Sequence, residues 1–455
     1  MTTSTVIPPA PPVHPKELPP LQLLFGSIRN SLAIWPELAF DVDVHRKTLF
    51  GIKTLLVNDP SGVRHVMASH ASNYVRPAMM ARIMRPLLGR GLFLSEGGEW
   101  RRQRRQLAPC FTPQRVDVLL RHFFAAADDL ISDLDGKFSA DLSEAYQIVA
   151  LNAALRALFS MPDRDHRNRV GGLVRQYING PGRPQILDGF AKTEQSFSFS
   201  LRQRRAFQRK WAALVDDIVD ERRKQARGGT HKDLLDLLLA ARDPETHEPL
   251  TPAEVRDQSA TMIFGGYETT ARLLFWATYL LTLDQTEQAR VREEVVRTPP
   301  EQITSYEGFE AWPRLRNVLL EAMRLYPPVP IIVREPIEED EILGEQVSPG
   351  VLIYIVPWVL HRHRKHWERP TEFLPERFEA QTTPWTSGGA YLPFGAGPRI
   401  CIGAVFAMAE AQIILAKMLE RYTISTSEVR PVLPVGRLTT QPSYAPSFTL
   451  EKTAS

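Results

Sequence analysis

The sequence predicts a mainly helical protein with a smaller β component, which places it in the α+β class. Apolar residues recur at helical spacing from Leu21 to Val44 and through most of residues 111–239. A further helix pattern of about 30 residues begins at Pro252, where Thr251 as N-cap and Glu254 at the third helical position predict a capping box. At about 1.5 Å per residue this helix is long enough to cross a whole domain. Two short strand patterns, His45–Phe50 and Lys53–Val57, supply the β component, with Gly51 between them as a turn residue.

The composition is that of a globular protein with a large core. Of the 455 residues, 43% are hydrophobic and 24% are charged, and neither a Ser/Gly-rich linker nor a low-complexity tract divides the chain. We therefore expect one domain over residues 21–455. Residues 1–20 are rich in proline, which disfavours helix, so we expect them to form an extended N-terminal arm.

Charge, hydropathy and cysteine usage exclude several classes of protein. A net charge of +3 gives no general attraction to nucleic acid, and the basic stretch Arg202–Lys210 accompanies no recognised nucleic-acid motif, so we interpret it as a solvated helix face. No uninterrupted apolar run reaches about 18 residues, which predicts a protein without a membrane anchor. The two cysteines, Cys110 and Cys401, favour a reducing compartment. We expect a soluble, cytoplasmic monomer.

The loop Tyr391–Gly403 places one thiol where a metal can use it. Cys401 stands at the end of this loop and just before the apolar helix pattern Ala404–Leu419. A sulfur at that position meets the positive end of the helix and the free amides of Ile402 and Gly403, both of which favour the thiolate. The sequence therefore predicts a seat for a soft metal ligand.

The other residues of the loop suit an iron porphyrin. Gly395 and Gly397 let the backbone approach a flat ring, Phe394 can shield the sulfur, and Arg399 can pair with a propionate. A thiolate ligand pushes electron density onto iron and favours O–O cleavage. The alternative for a lone cysteine is a small buried hydrophobic residue at a helix start.

The loop resembles the haem-binding signature of the cytochrome P-450 superfamily, whose six positions are filled here by Phe394, Gly395, Gly397, Arg399, Cys401 and Gly403. The resemblance covers roughly residues 52–449 and suggests a soluble member of the bacterial type. It implies the fold of that family, a helical prism with a small β-sheet lobe. It also implies haem b, iron protoporphyrin IX, as the cofactor.

Two other elements offer groups for the haem propionates. Trp100 and Arg104 are four residues apart on a predicted helix and share one face, so both can reach one propionate. They resemble the Trp-x-x-x-Arg element of the family. The resemblance further implies that the extended segment Val329–Arg334 lines the substrate side and that Arg334 reaches the second propionate.

The middle of the long helix predicts an oxygen site. Gly265 and Gly266 each lower helix stability by about 1 kcal/mol relative to alanine, so the missing side-chain volume is expected to leave room for dioxygen. Thr269 can bond back to the preceding turn and distort the helix locally. The stretch resembles the oxygen-activation motif of the family, which implies that Thr269 and Glu268 assist proton delivery to dioxygen. The alternative is a kinked core helix.

A third element is structural. Glu321 and Arg324 form an i, i+3 acid–base pair on a helix pattern, and Arg377 follows later in the chain. The pair resembles the Glu-x-x-Arg element of the family. The resemblance implies a buried network of the three residues that holds the haem pocket together.

Two apolar segments are expected at the substrate side. Residues 77–91 are rich in methionine and either cover a lipophilic ligand, as their position in the family implies, or pack into the core. Residues 438–445 are expected to form a hairpin whose tip enters the pocket.

A further segment carries three histidines, His361, His363 and His366, which could suggest a separate metal site. The cationic residues between them disfavour a divalent metal ion there.

Together these elements imply a haem-thiolate monooxygenase that inserts one atom of O2 into a small lipophilic substrate such as a fatty acid, terpene or steroid. The chain shows no flavin or iron–sulfur segment, so electrons are expected from a ferredoxin or flavodoxin with an NAD(P)H-dependent reductase. Basic residues beside Trp100 either dock that donor or form a solvated face: Arg101, Arg102 and Arg105. The alternatives are a peroxide-driven or rearranging haem-thiolate enzyme and a non-catalytic haem sensor.

Overall fold

A computed structural model describes residues 6–161, 164–191, 193–225, 233–380 and 389–453 of the chain. Its α-helices, α1 to α14 in chain order, are Pro20–Arg29, Pro60–Arg64, Ala78–Leu88, Gly97–Leu107, Pro113–Leu134, Leu142–Phe159, Arg164–Asn179, Leu201–Gln225, Leu234–Ala240, Pro252–Leu283, Gln285–Arg297, Pro313–Leu325, Pro357–Leu360 and Ala404–Arg421. Its strands, β1 to β12, are Val44–Leu49, Ile52–Val57, Tyr74–Val75, Ser139–Asp141, Ile332–Pro336, Asp340–Ile342, Glu345–Val347, Leu352–Ile355, Tyr422–Ser425, Pro434–Gly436, Thr440–Pro442 and Ser447–Lys452. The predicted mainly helical α+β class is confirmed.

The largest sheet has the strand order β1-β2-β8-β5-β3. Strands β1 and β2 form the antiparallel hairpin that the sequence predicts, with Leu49 opposite Ile52 beside the turn. Strand β8 then pairs with β2 in parallel and with β5 in antiparallel orientation. Strand β8 therefore lies between the hairpin and β5, which carries Arg334. The smaller sheets are β4-β12-β9, β10-β11 and β6-β7.

Helix α10 is the longest of the helices in the described ranges, at 32 residues. Its start is fixed by a reciprocal capping box. The Glu254 amide donates to Thr251 Oγ1 at 3.3 Å, and the Thr251 amide donates to the Glu254 carboxylate at 2.8 Å. Two otherwise unpaired amides of the first turn are thereby satisfied. Pro252 occupies the first helical position, where its missing N–H is harmless.

The core lies around the C-terminal half of α10. Residues 273–281 of that helix are all buried. Helix α10 packs along α6, and α14 packs along α5. The N-terminal half of α10 has a different environment, because one of its faces borders a cavity.

The apolar pattern from Leu21 to Val44 predicts a helix, and this prediction is wrong beyond Arg29, where α1 ends. Asn30 leaves the helix because its side chain is used elsewhere. Its amide nitrogen donates to the Pro434 carbonyl at 3.0 Å, and its amide oxygen accepts from the Gly436 amide at 2.7 Å. Hydrogen bonds to a strand some 400 residues away therefore override the local helical spacing.

Residues 6–19 of the N-terminal arm form no helix or strand, bend at Pro15 and Lys16, and lie against the body of the protein. The Phe373 amide donates to the Val6 carbonyl at 3.0 Å, and the Tyr326 hydroxyl donates to the Pro9 carbonyl at 2.8 Å. Residues 1–5 lie outside the described part of the chain. None of the helices in the described part is both long enough and apolar enough to cross a membrane.

Candidate functional site

A cavity of about 1050 Å³ lies between α10, the loop that leads to Cys401, strand β5 and helices α3 and α4. Most of the predicted site residues line it: Trp100, Arg104, Gly265, Gly266, Thr269, Arg334, Phe394, Gly395, Arg399, Cys401 and Gly403. The remaining predicted residues lie outside the lining: Glu268, Glu321, Arg324 and Arg377. Elements that are far apart in sequence thus meet around one space.

The loop before Cys401 is held in a tight turn. The Cys401 amide donates to the Phe394 carbonyl at 2.9 Å, which closes the loop on itself. Gly397 has φ +66°, and a side chain there would meet the Met67 carbonyl oxygen at 1.9 Å. Glycine at 397 is therefore required by packing against the π-helical turn His65–Ser69, and the close approach of this loop to a flat ring stays a prediction.

The thiol of Cys401 is exposed to the cavity. Burial among protein atoms raises its pKa above the ordinary value, while the Gly403 amide and the positive charge of Arg104 act in the opposite direction. The sequence prediction considered only the groups that favour the thiolate. A metal ion bound in the cavity would add a further positive charge that favours it.

Arg76, Arg334 and Arg399 form a cluster in the wall of the cavity, close enough for their charges to act on one another, and Arg104 also lines the cavity near Cys401. Their local counter-charge is small. Arg76 pairs with Glu96 at 2.9 Å, and Arg399 also pairs with Glu96. Arg334 and Arg104 form no ion pair with any described residue. The cluster therefore has an excess of positive charge.

Arg334 shows how strongly that excess acts. Only 8% of it is exposed, and its guanidinium donates to the Val333 carbonyl at 2.9 Å. Burial, as the largest cause, and the neighbouring Arg76 and Arg399 together lower its pKa to about 9, while Glu96 acts in the opposite direction. A buried cation in this state would be stabilised by an anionic ligand.

Trp100 orients the guanidinium of Arg399. The guanidinium carbon of Arg399 lies 4.3 Å from the centre of the Trp100 ring, within the range of a cation–π interaction. Arg399 also donates to the Ser95 carbonyl at 3.1 Å. Trp100 and Arg399 come together although about 300 residues separate them, so sequence spacing could not predict their stacking.

The glycine turn of α10 faces the cavity as an open surface. A side chain at Gly265 would meet no atom within 4 Å, and one at Gly266 would touch Ala154 at 3.4 Å. The Thr269 hydroxyl donates to the Gly265 carbonyl at 2.5 Å, as the sequence predicts. The predicted distortion does not occur, because the helix keeps its α-helical form throughout Pro252–Leu283.

Glu268 points away from this cavity. Its carboxylate forms a buried ion pair with Arg272 at 2.8 Å and accepts hydrogen bonds from Thr439 Oγ1 at 3.0 Å and Gln441 Nε2 at 3.3 Å. It lines an adjoining polar pocket of about 220 Å³. A role for Glu268 in proton delivery stays a prediction.

Sequence reasoning missed three residues of this site. Arg76 and Glu96 belong to no motif, and only the three-dimensional structure shows that they share the arginine cluster. Glu410 lines the cavity and lies 3.5 Å from the Thr270 hydroxyl, and burial raises its pKa well above the usual value. Its signal was available, because it is an acid inside an apolar helix pattern.

The network of Glu321, Arg324 and Arg377 lies behind the site. Arg324 donates to both oxygens of Glu321 at 2.7 and 2.8 Å, and Arg377 reaches Glu321 at 3.2 Å. Arg324 also donates to the His361 carbonyl at 2.8 Å. The His361 ring accepts from the Leu392 amide at 2.8 Å, which connects the network to the start of the cysteine loop.

The two apolar segments border the cavity. Residues 78–88 form helix α3, in which Met79 and Met80 line the cavity while Leu87 is buried in the core. The segment therefore contributes to both the cavity wall and the core, and its covering of a lipophilic ligand stays a prediction. The predicted hairpin exists, but its bounds are wrong. Its strands are β10 and β11, and its tip at Leu438 and Thr439 lines the cavity.

A haem fits these residues. It is a flat group with a metal that takes a sulfur ligand and two carboxylates that arginines can bind. The cavity offers a thiol on one wall, an open glycine turn on another and an excess of arginines at one end. This combination, on a helical fold with a small sheet, defines the haem-thiolate class of proteins.

A model of the family described as cytochrome P450 matches residues 43–446, and the chain belongs to this family. Cyclooctatin synthase from Streptomyces melanosporofaciens is 31% identical over 76% of this chain and 76% of its own length. Cyclooctat-9-en-7-ol 5-monooxygenase from the same organism is 30% identical over 75% and 74%. Cytokinin hydroxylase from Arabidopsis thaliana is 27% identical over 88% and 80%.

The fold also matches a solved structure. The crystal structure of the cytochrome P450DA heme domain superposes with a TM-score of 0.79 at 23% identity, over 99% of this chain and 98% of that one. The predicted cytochrome P-450 fold is confirmed. Membership of the family also confirms the predictions of a haem-iron cofactor and of a P450 monooxygenase.

Proposed function

We propose that the protein is a haem b monooxygenase that inserts one oxygen atom of O2 into a lipophilic substrate. The observation that carries this proposal is the position of the Cys401 thiol in a cavity that also contains the open turn at Gly265 and an excess of arginines. We further propose a cytoplasmic location and a ferredoxin or flavodoxin, with its NAD(P)H-dependent reductase, as the source of electrons.

Cys401 would bind the haem iron through its sulfur, and the arginines would hold the propionates. Arg104 and Arg334 have no carboxylate partner among the described residues, so they are free to bind one each. Arg399 is oriented by Trp100 and is shared with Glu96. When bound, the haem iron supplies the activation of dioxygen, and a thiolate ligand favours O–O cleavage.

Thr269 would hold a proton near the reacting oxygen. Its hydroxyl already donates to the Gly265 carbonyl, so its lone pairs remain available to accept from a water molecule in the open space beside Gly265. Glu268 is one residue away but is paired with Arg272 in the adjoining polar pocket. We propose that Glu268 receives protons from that pocket and passes them towards Thr269 when its side chain turns.

The lining supports a lipophilic substrate. Met79, Met80 and Met84 of α3 provide adaptable apolar surface, and Val329 and Ile331 face the cavity from the opposite chain segment. A fatty acid, a terpene or a steroid would suit such a wall.

The basic face beside Trp100 offers fewer free charges to an electron donor than the sequence predicts. Arg102 pairs with Glu254, and Arg105 pairs with Asp243 and Glu245. Of the three arginines Arg101, Arg102 and Arg105, Arg101 is the exposed one and is the most available to bind an acidic donor.

The test is turnover by the purified, haem-loaded protein. A library of lipophilic compounds is first screened for ligands that shift the haem absorption band. Each ligand is then incubated with NAD(P)H, O2 and a surrogate ferredoxin and reductase, and products are measured by mass spectrometry. An oxygenated product that carries label from ¹⁸O2 supports the proposal. Product formed with hydrogen peroxide but never with the reductase system would favour the peroxide-driven enzyme instead.

A further inference from the structure

A second cluster of metal-binding side chains lies outside the haem cavity. Asp43 precedes strand β1, and His363 and His366 follow helix α13. The ligand atoms of these three side chains lie within 4.8 Å of one another. Two imidazoles and one carboxylate form a donor set suited to divalent ions such as Zn²⁺, Ni²⁺ or Cu²⁺.

The two imidazoles are prepared for ligation. His363 is fully buried, and its Nε2 lies 3.2 Å from the Val42 carbonyl, so a proton on Nε2 leaves Nδ1 as the acceptor. Nδ1 accepts from the Lys365 amide at 3.3 Å, a long hydrogen bond that a metal ion bound at Nδ1 would replace. The Nε2 of His366 is buried and has no hydrogen-bond partner among the described residues. An unpaired buried nitrogen is unfavourable, and a metal ion would satisfy it.

His361 does not belong to this cluster. Its ring accepts from the Leu392 amide at 2.8 Å and contacts the Arg324 carbonyl at 3.2 Å, so both nitrogens are used in the network behind the haem cavity. The three histidines of the segment therefore divide into one structural residue and two that face Asp43.

The two arginines that argue against a metal ion in the sequence contact groups outside this cluster. Arg364 pairs with Glu37 at 3.1 Å and also pairs with Asp41. Arg362 lies 3.5 Å over the Trp358 ring and donates to a backbone carbonyl.

Of the three cations in this segment, Lys365 is the one that contacts a proposed metal ligand, since its ammonium lies 2.8 Å from the Asp43 carboxylate. The negative charge of the Asp59 carboxylate lies close enough to influence both Lys365 and His366. Lys365 is exposed, so its flexible side chain can leave Asp43 at little cost.

We propose that Asp43, His363 and His366 form a site for one divalent transition-metal ion, which displaces Lys365 from Asp43. The ion would join the start of the main sheet to the segment that carries His361. Since His361 contacts both Arg324 and Leu392, a metal ion here would brace the support of the cysteine loop. The site is separate from the chemistry at the haem.

The experiment uses the haem-loaded protein after treatment with EDTA and dialysis against ZnCl2, with zinc and iron counted by mass spectrometry. We expect one zinc per chain in addition to the haem iron. His366→Ala and Asp43→Asn should weaken zinc binding about tenfold or more. Lys365→Ala should tighten it, because the competing ammonium is gone, and a purely structural role of Lys365 would not produce that effect.

The matched control is His70→Ala. His70 stacks on His65 with ring centres 3.9 Å apart, and His65 bonds Asp340 at 2.8 Å, so this pair resembles the proposed site without forming it. Zinc binding should not change in this variant. No saturable zinc binding by the wild-type protein, or binding that survives both His366→Ala and Asp43→Asn with an unchanged haem spectrum, would overturn the proposal.

Discussion

Replacement of Arg324 by methionine tests the support behind the cysteine loop. Arg324 and Glu321 are both fully buried, and the guanidinium forms two bonds to Glu321 and one each to the carbonyls of His361, Pro370 and Glu372. Methionine fills similar volume but leaves Glu321 with Arg377 as its remaining charged partner, at 3.2 Å.

The expected loss is large relative to the stability of a domain. Breaking a buried ion pair by removing one partner lowers the free energy of unfolding by about 3–5 kcal/mol. The total for a folded domain is about 5–15 kcal/mol. The Arg324→Met protein should therefore unfold at a much lower urea concentration, and it should retain less haem after purification.

Two variants calibrate this result. Arg377→Met removes a partly exposed guanidinium with one bond to Glu321. Arg364→Met removes two exposed ion pairs, to Glu37 and Asp41, each of which should change stability by about 0–1 kcal/mol. Urea unfolding is followed by circular dichroism and by the haem absorption band. Unfolding of Arg324→Met at the same urea concentration as Arg364→Met would contradict a stabilising role for the buried network.

Three further predictions concern the loop, the oxygen site and pH. Gly397→Ala should prevent haem binding, because its new carbon would lie 1.9 Å from the Met67 carbonyl oxygen, and haem content like that of the wild type would contradict this. Thr269→Ala should keep its haem but release more hydrogen peroxide, and an unchanged yield of product per NAD(P)H would contradict the proposed role of Thr269 in proton delivery. Burial lowers the pKa of His361 to about 3, so the unfolded chain binds an extra proton below its ordinary pKa of about 6.5. Stability should be full above that pH and should fall by up to about 1.4 kcal/mol per pH unit as the pH drops from about 6.5 to 3, a slope that His361→Gln should reduce.

Local features of the fold could be predicted from the sequence. The capping box at Thr251, the β1–β2 hairpin and the loop before Cys401 depend on neighbouring residues, and each occurs as predicted. Their hydrogen bonds join residues that the chain already holds close together. Short-range spacing is therefore sufficient to specify them.

Long-range partners explain the features that the sequence could not predict. Asn30 ends α1 because strand β10 takes its side chain. Glu268 turns from the cavity because Arg272 and the hairpin tip hold its carboxylate. Gly397 is required by Met67, which lies more than 300 residues earlier in the chain. In each case the deciding contact comes from another part of the fold.

The most direct test of the whole interpretation is the absorption spectrum of the haem-loaded protein, in its oxidised state and in its reduced state with carbon monoxide. Cys401→Ala is compared with Cys110→Ala, whose thiol is buried in the core and has its pKa raised to about 11 by that burial. The wild type and Cys110→Ala should both show thiolate ligation, and Cys401→Ala should lose it while its circular dichroism stays the same. A thiolate spectrum that persists in Cys401→Ala, or a wild-type protein that binds no haem, would contradict the account.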